Sequence, residues 1–251
     1  MISGEDEAVC IRHWDYSETS QTVGLFTRRS GVVRAMARGS RRPRSQFSGG
    51  IDLLTLARVT LVERGTSDLS TLATWDLIDG FLALRRARRA GQIAYYGAEL
   101  IGKFFQSHDP HERAFDAFVG MLKSLGHDGP RESDEALLLS FQWIVLKESG
   151  YQPALGACTD GIDPLHFDPR HGGTLSDGPT PTSWRVRRST IQFLTQVIGQ
   201  AIPPEAAMDH DALERSNRLL GAYIREVLGE EPLTMPGVFG TLAPRAGTSD
   251  P

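Results

Sequence analysis

The sequence has few cysteines and no long apolar run. Cys10 and Cys158 are the two cysteines among 251 residues, which excludes a disulfide framework and indicates a reducing compartment. The longest mostly apolar run, 137–146, is half the roughly 20 residues that are needed to cross a bilayer. No apolar export signal precedes residue 20, so we expect a cytoplasmic location.

Signatures of common enzyme classes are also missing. The sequence has no P-loop, no Gly-x-Ser-x-Gly elbow and no Gly-x-Gly-x-x-Gly turn. His111-Glu112 lacks the second histidine of a helical zinc pair, and the Asp109-Pro110 step between His108 and His111 is typical of a helix start. We therefore expect no catalytic residue, no metal and no cofactor.

Lysine is scarce, and the arginines are unevenly distributed. Apolar residues make up 40% of the chain and charged residues 23%, as in globular proteins. Between Thr19 and Ile51 there are seven arginines and no lysine or carboxylate, whereas the rest of the chain has 20 basic and 31 acidic residues. A charge of +7 in this window and −11 outside it indicates a polyanionic partner.

The hydrophobic periodicity changes near residue 80. Five short runs with β-strand character precede it, at 7–13, 19–26, 31–38, 54–63 and 69–77. They predict a five-stranded barrel of the oligonucleotide-binding (OB) type over 1–80. On the third strand, alternation places Val33, Ala35 and Ala37 on an apolar face and Val32, Arg34, Met36 and Arg38 on a charged face.

Beyond residue 80, apolar residues recur at helical spacing, beginning with Ile93, Tyr96 and Leu100. Five such stripes predict a helical domain over 81–235. Residues 152–183, with five glycines and five prolines, predict an irregular insert, and 236–251 predict a flexible tail. The expected fold class is therefore α+β, with an N-terminal OB-fold barrel followed by an all-helical C-terminal domain.

The arginines of the barrel are the candidate DNA-binding residues. Ligands of OB-type barrels lie across strands two and three and the adjoining loops, where these arginines fall. Guanidinium groups pair with phosphates and stack on bases, while Phe47 either stacks on a base or anchors its loop. The candidates are Arg28, Arg29, Arg34, Arg38, Arg41, Arg42, Arg44 and Phe47.

No base-specific pattern is visible, so we expect sequence-tolerant binding to strands. If four arginines contact the phosphates of a single strand, the logarithm of affinity falls with the logarithm of salt concentration at a slope of about −3. A second cationic cluster lies at the start of the predicted helical domain. It is either a solvated face, an extension of the DNA path or a contact for a partner protein. It consists of Arg85, Arg86, Arg88 and Arg89.

Several segments resemble the bacterial recombination mediator family RecO. The amino-terminal domain of that family is similar to 8–20 (AVCIRHWDYSETS), 25–28 (LFTR) and 37–45 (ARGSRRPRS). The resemblance continues through 149–155 (SGYQPAL) and 167–173 (FDPRHGG) and covers nearly the whole chain.

This resemblance implies a non-enzymatic protein of recombinational DNA repair, located in the cytoplasm with the nucleoid. Members of the family bind single- and double-stranded DNA and anneal complementary strands. They recognise the acidic, apolar-ended tail of single-stranded DNA-binding protein, and with RecR they help to load the recombinase onto coated gaps. The same functions and partners are expected of this chain, without a membrane partner.

One departure from the family concerns metal. Many members have four cysteines in the insert, which suit a structural zinc site. Here Cys158 stands alone, and Gly161 and Ser176 occur where further cysteines would be expected. An insert without metal is the default expectation. Mixed ligands are the alternative, from Asp160, His166 and His171.

Two other functions are open at this point. A hydrolase or transferase would use Cys158 with His166 or His171 as a reactive or metal-bearing group. An RNA-binding barrel would present the same cationic face to RNA.

Overall fold

The chain folds into two compact units, Met1–His127 and Asp128–Pro251. A computed structural model describes residues 2–42, 44–47, 50–63, 69–127, 131–156, 163–198 and 209–242. Within these ranges no helix combines the length and apolar character needed to cross a membrane.

The first unit contains a closed barrel of five strands in the order β1-β2-β3-β5-β4. Neighbouring strands are antiparallel except β3 and β5, which pair in parallel over 34–36 and 69–71. The predicted OB-type barrel is therefore confirmed. The strands are β1 (Ile2–Asp15), β2 (Gln21–Thr27), β3 (Gly31–Ala37), β4 (Leu56–Glu63) and β5 (Leu69–Asp79).

Strand β1 is longer than the sequence predicts. Its acidic beginning hides the alternation of a strand, yet Glu5 pairs with Thr60 and Glu7 with Arg58 of β4. The register shifts between Cys10 and Arg12, so that the first half of β1 pairs with β4 and the second half with β2. A β-bulge of this kind bends a strand and helps a sheet to close.

Alternating side chains fill the interior of the barrel. Val33, Ala35 and Ala37 of β3 lie in the core cluster, whereas Arg34 and Arg38 are exposed, as the alternation predicts. Met36, which alternation places on the charged face, is buried. The core cluster also contains Trp75 of β5, the strand that neighbours β3, so small and large side chains together fill the interior.

Two helices complete the first unit, α1 (Arg88–Phe104) and α2 (Glu112–Ser124), after a short 3-10 helix at Leu82–Arg85. The buried ring of Phe26 on β2 lies 5.8 Å from that of Phe105 and 5.6 Å from that of Phe115 on α2. Burial of one such ring is worth about 1.5–3 kcal/mol. The compact unit therefore extends beyond the barrel, while the domain boundary at residue 80 stays a prediction.

The second unit contains α3 (Arg131–Glu148), α4 (Arg188–Ile198), α5 (His210–Leu228) and α6 (Met235–Phe239). A buried hydrogen bond joins α3 to α5, donated by Gln142 Nε2 to Asn217 Oδ1 over 2.9 Å. Asp209 caps α5 by accepting the Ala212 N–H, and Gly229 ends the helix with a φ of 71°.

Two predictions about the second unit need correction. The expected irregular insert contains a three-stranded sheet in the order β7-β6-β8, with strands at Leu165–Asp168 (β6), Gly173–Thr174 (β7) and Trp184–Val186 (β8). Strands this short show no periodicity in the sequence. The expected flexible tail begins inside α6, where Val238 and Phe239 are buried. Residues 157–162 and 243–251 lie outside the described ranges.

Candidate nucleic-acid interface

An exposed face of the barrel combines arginine and aromatic side chains across β1, β2 and β3. The strand register aligns two rows on this face, Arg12–Gly24–Arg34 and Trp14–Thr22–Met36. Turns at the same end of the strands add further exposed side chains. We call this surface the platform, and its exposed members are Arg12, Trp14, Tyr16, Arg34, Arg38 and Arg42.

Trp14 is the central aromatic side chain of the platform. It is 40% exposed, and the guanidinium carbons of Arg12 and Arg34 each lie 5.5 Å from the centre of its ring. A cation this close to an indole is attracted by the negative potential of the ring face, by about 0.5–1 kcal/mol at an exposed site. The ring therefore holds two cations near one point of the surface.

Tyr16, Arg38 and Arg42 line a surface pocket of about 400 Å³ that also contacts Met36. The Tyr16 side chain is 68% exposed. Ser20 Oγ accepts the Gly39 N–H over 3.1 Å, which fixes the turn that carries Arg38. The pocket thus offers two guanidinium groups and an aromatic ring within one opening.

The loop that carries the arginines is attached to the barrel. Buried Gln21 accepts hydrogen bonds from the Ser40 hydroxyl and the Ile51 N–H, each over 3.0 Å. Phe47 is 3% exposed and lies in the barrel core. Its ring is a loop anchor, which corrects the alternative that it stacks on a base, because a buried ring presents no face to nucleic acid.

The platform arginines differ from their neighbours in electrostatic pairing. Within the described residues, none of Arg12, Arg34, Arg38 and Arg42 forms an ion pair with a carboxylate. Arg41 instead forms an ion pair with Asp15. Arg44 is exposed on the same loop. Four guanidinium groups of the platform are therefore available to a polyanion.

Arg28 and Arg29 lie at the opposite end of β2 and β3. A strand of seven residues is about 20 Å long, which separates them from Arg38 and Arg42. Arg28 pairs with Asp116 over 3.0 Å and lies 3.6 Å from Glu112, both on α2. The backbone N–H of Arg29 donates to Asp6 over 3.0 Å. Carboxylates thus pair with the Arg28 guanidinium, while the exposed Arg29 lies near Asp6 at this distant end. The seven predicted arginines therefore do not form one continuous path.

The outer surface of β4 and its neighbours is of mixed charge. Glu7, Arg58 and Asp76 are aligned across β1, β4 and β5, and Glu5 lies in the next row. Because acidic side chains accompany arginine there, the barrel is electrostatically polarised, with its positive potential at the platform.

Sequence reasoning missed Arg12, Trp14 and Tyr16. The signal that could have found Arg12 and Trp14 is the period of two along β1, which places both side chains on one face of the strand, and Tyr16 follows in the turn after it. A search for clusters of arginine does not detect these residues, because one arginine and two aromatic residues do not form a charge cluster.

The second cationic cluster lies at the 3-10 helix and the start of α1. Arg85 pairs with Asp52 over 3.0 Å, and both side chains are exposed. Arg86 and Arg88 are exposed, and Arg89 is half-buried. A role for the cluster in contacting DNA or a partner stays a prediction.

The rival site in the insert is described only in part. Cys158, Asp160 and Gly161 lie outside the described residues. Among the residues that are described, no group of three or more His, Cys, Asp or Glu side chains is arranged to hold a metal ion. His171 Nδ1 lies 2.9 Å from Asp168 Oδ2, so this histidine belongs to a network around Asp168.

Asp168 is a buried carboxylate at the end of β6. Burial alone would raise its pKa, but hydrogen bonds from Thr180, His171, the Arg170 N–H and Thr182 outweigh this effect. They hold the pKa well below the usual range of an aspartate. The carboxylate therefore connects the turn that follows β6 with the segment that precedes β8.

We expect Asp168→Asn to lower the free energy of unfolding by about 3 kcal/mol at neutral pH, because four hydrogen-bond donors lose a buried, charged acceptor. The folded-state pKa lies below the unfolded value of about 3.9, so this stabilisation is present above that value and is lost as the pH falls below it. Urea unfolding of both proteins across this range measures the effect. A difference that persists unchanged at low pH would contradict the assignment.

Cys10, the other cysteine, lies in the barrel core and is fully buried. Burial raises the pKa of its thiol to about 12. The thiol is therefore protonated at neutral pH, which argues against a nucleophilic role.

Comparison with known proteins gives a consistent result for both units. Two family models match the chain, "Recombination protein O N terminal" at residues 1–81 and "Recombination protein O C terminal" at 86–235. A protein of Anaeromyxobacter dehalogenans named DNA repair protein RecO is 36% identical over 178 residues, which cover 69% of either chain. The protein of that name in Myxococcus xanthus is 28% identical over 90% of this chain and 92% of its own. A Burkholderia pseudomallei relative, named likewise, is 30% identical over 91% of this chain and 80% of its own.

Proposed function

Since the chain belongs to the RecO family of DNA repair proteins, we propose that it binds DNA through the platform, anneals complementary strands and, with RecR, helps to load recombinase onto coated single strands. One observation carries the proposal: four arginines without carboxylate partners in the described residues surround two exposed aromatic rings on the barrel face.

The proposed mechanism needs no chemical step. Two DNA strands repel each other through their phosphates, and a cationic surface that contacts both lowers this repulsion. Guanidinium groups that contact phosphates also release condensed counterions, which supplies binding free energy without nucleotide hydrolysis. The protein would therefore act stoichiometrically on the strands that it holds.

The experiment that tests this function measures annealing of complementary oligonucleotides coated with their cognate single-stranded DNA-binding protein. We expect the chain to accelerate annealing without added nucleotide or metal, and we expect a variant with Arg38→Glu and Arg42→Glu to lose the acceleration. Equal annealing rates with and without the wild-type chain would contradict the proposal.

We propose that the second unit binds the tail of single-stranded DNA-binding protein. The tail is acidic and apolar-ended, so its site must combine positive charge with apolar surface. A pocket of about 370 Å³ between β8 and α5 has this character. Its lining includes Arg185, Arg187, Arg215, Arg218, Val186, Leu219 and Leu242.

Contacts within this pocket leave two of its arginines most accessible. Arg218 donates to the carbonyl oxygens of Phe239 and Thr241, over 2.7 Å and 2.8 Å, and Arg215 Nε donates to Thr190 Oγ1 over 3.2 Å. Arg185 and Arg187 are exposed on the rim. We therefore propose that these two meet the acidic part of the tail, while Leu219 and Leu242 contact its apolar end.

We expect Arg185→Glu with Arg187→Glu to weaken binding of a labelled peptide, in which aspartates precede an apolar carboxyl end, by about tenfold or more. Fluorescence anisotropy measures the affinity. Arg170→Glu in the same unit is the control, because Arg170 is exposed outside the pocket lining. A similar loss in both proteins would show a nonspecific charge effect and would overturn this site.

A further inference from the structure

We propose that Trp14 is a binding site for an unpaired base, which stacks on the indole while Arg12 and Arg34 contact the flanking phosphates. The proposal rests on the proposed function, because it names the part of the DNA that the platform recognises. The ligand is a strand whose bases are free to stack. The arginines of the platform by themselves would recognise phosphates, and Trp14 adds a contact with a base.

The first support is the position of Trp14. Trp14 is 40% exposed, whereas the inward-facing side chains Ala8 and Cys10 of the same strand are buried in the barrel core. An exposed indole is a large apolar surface left in water, and a stacked base would cover it. Every base has such a face, so this contact agrees with sequence-tolerant binding.

The second support is the relation between the ring and the two guanidinium groups. Each guanidinium carbon lies over the ring, 5.5 Å from its centre, so a base that stacks there takes the place of a guanidinium group, which then turns to a flanking phosphate. Arg12 and Arg34 belong to the same row and flank Gly24. A Cβ on Gly24 would lie only 3.2 Å from Cβ of Arg12, so the glycine keeps the surface low between the two arginines. This depression is beside the indole, where the sugar and phosphate of a stacked nucleotide must fit.

The third support is the continuation of the platform beyond Trp14. Tyr16 lies two residues further along the chain, in the turn that follows β1. Tyr16 is 68% exposed and shares its pocket with Arg38 and Arg42. The arrangement of an aromatic ring with two arginines therefore occurs twice along the platform, which suits successive nucleotides of one strand.

The test compares a thymine oligonucleotide with an abasic strand of equal length, which keeps the phosphates and lacks the bases. For the wild-type chain we expect about tenfold tighter binding of the thymine strand, since base–aromatic stacking contributes at this level. Trp14→Ala should remove this preference, whereas Trp14→Phe should retain part of it. The salt slope should stay the same in both variants, because no phosphate contact is lost.

The outcomes distinguish failure of the Trp14 base site from failure of the proposed DNA binding. If wild type and Trp14→Ala prefer the thymine strand to the same extent, Trp14 is not a base site, although platform binding to DNA stands. If wild type binds neither strand, the proposed function fails as well. Circular dichroism of the variants checks folding, and Leu233→Ala, at another exposed apolar residue, is the control that should leave the preference unchanged.

Discussion

Replacement of Arg34, Arg38 and Arg42 by glutamate is expected to weaken the binding of a single-stranded oligonucleotide at least about 100-fold at low salt. These arginines are exposed, and they have no carboxylate partner among the described residues. The wild-type chain, with four such arginines on the platform, should lose about 50-fold in affinity between about 50 and 200 mM salt, at a slope near −3. The triple variant should lose most of this salt dependence.

A matched pair of variants separates position from net charge. Arg38→Gln with Arg42→Gln and Arg28→Gln with Arg29→Gln each remove two positive charges. The first pair should reduce the slope by about 1.4, because two phosphate contacts are lost. The second pair should leave the slope nearly unchanged, because both arginines lie at the other end of the strands from the platform and Arg28 is already paired with Asp116 and Glu112. Equal effects of the two pairs would mean that net charge, and not the platform, determines binding.

Phe47→Ala is expected to lower the free energy of unfolding by about 3–5 kcal/mol, because a buried ring leaves a cavity in the barrel core. The loop with Arg38, Arg41, Arg42 and Arg44 is attached to the barrel partly through this ring. DNA affinity should therefore fall together with stability. Urea unfolding and anisotropy on the same preparation measure both quantities.

Phe47→Leu distinguishes an anchor from a stacking residue. Leucine fills much of the same volume, so we expect a loss of stability below about 1.5 kcal/mol and almost unchanged affinity for single strands. A residue that stacked on a base would behave in the opposite way, with near-normal stability and about tenfold weaker binding. The second pattern would contradict the placement of Phe47 in the core.

The barrel could be predicted because its information is local. Each strand shows alternation over a few residues, and the turns between strands carry glycine or aspartate. The same alternation sorted Val33, Ala35 and Ala37 from Arg34 and Arg38 correctly. The helical stripes of α1 and α5 are equally local, since apolar residues three and four positions apart define one face.

The pairing of the arginines could not be predicted, because it depends on distant residues. Arg28 and Arg38 look equivalent in sequence, as both follow a strand in an arginine-rich window. The carboxylates that neutralise Arg28 lie on α2, more than 80 residues further along the chain. Only the packing of α2 on the barrel distinguishes a paired arginine from an accessible one.

Phe47 and the small sheet illustrate two further limits. The serines that flank Phe47 are compatible with an exposed ring, and its burial results from a loop that folds back onto the barrel. Strands β6, β7 and β8 contain between two and four residues each. Hydrogen bonds of Asp168 connect this sheet to residues up to 14 positions away. Because these contacts are not local, no short sequence pattern predicts the sheet.

Photo-crosslinking of a single-stranded oligonucleotide, with the attached peptides identified by mass spectrometry, tests the central claim most directly. The account predicts crosslinks in 12–16 and 34–42, the segments that form the platform, and a loss of these crosslinks on addition of salt. Crosslinks confined to α2, to the pocket between β8 and α5, or to the surface that carries Glu5, Glu7 and Asp76 would contradict it.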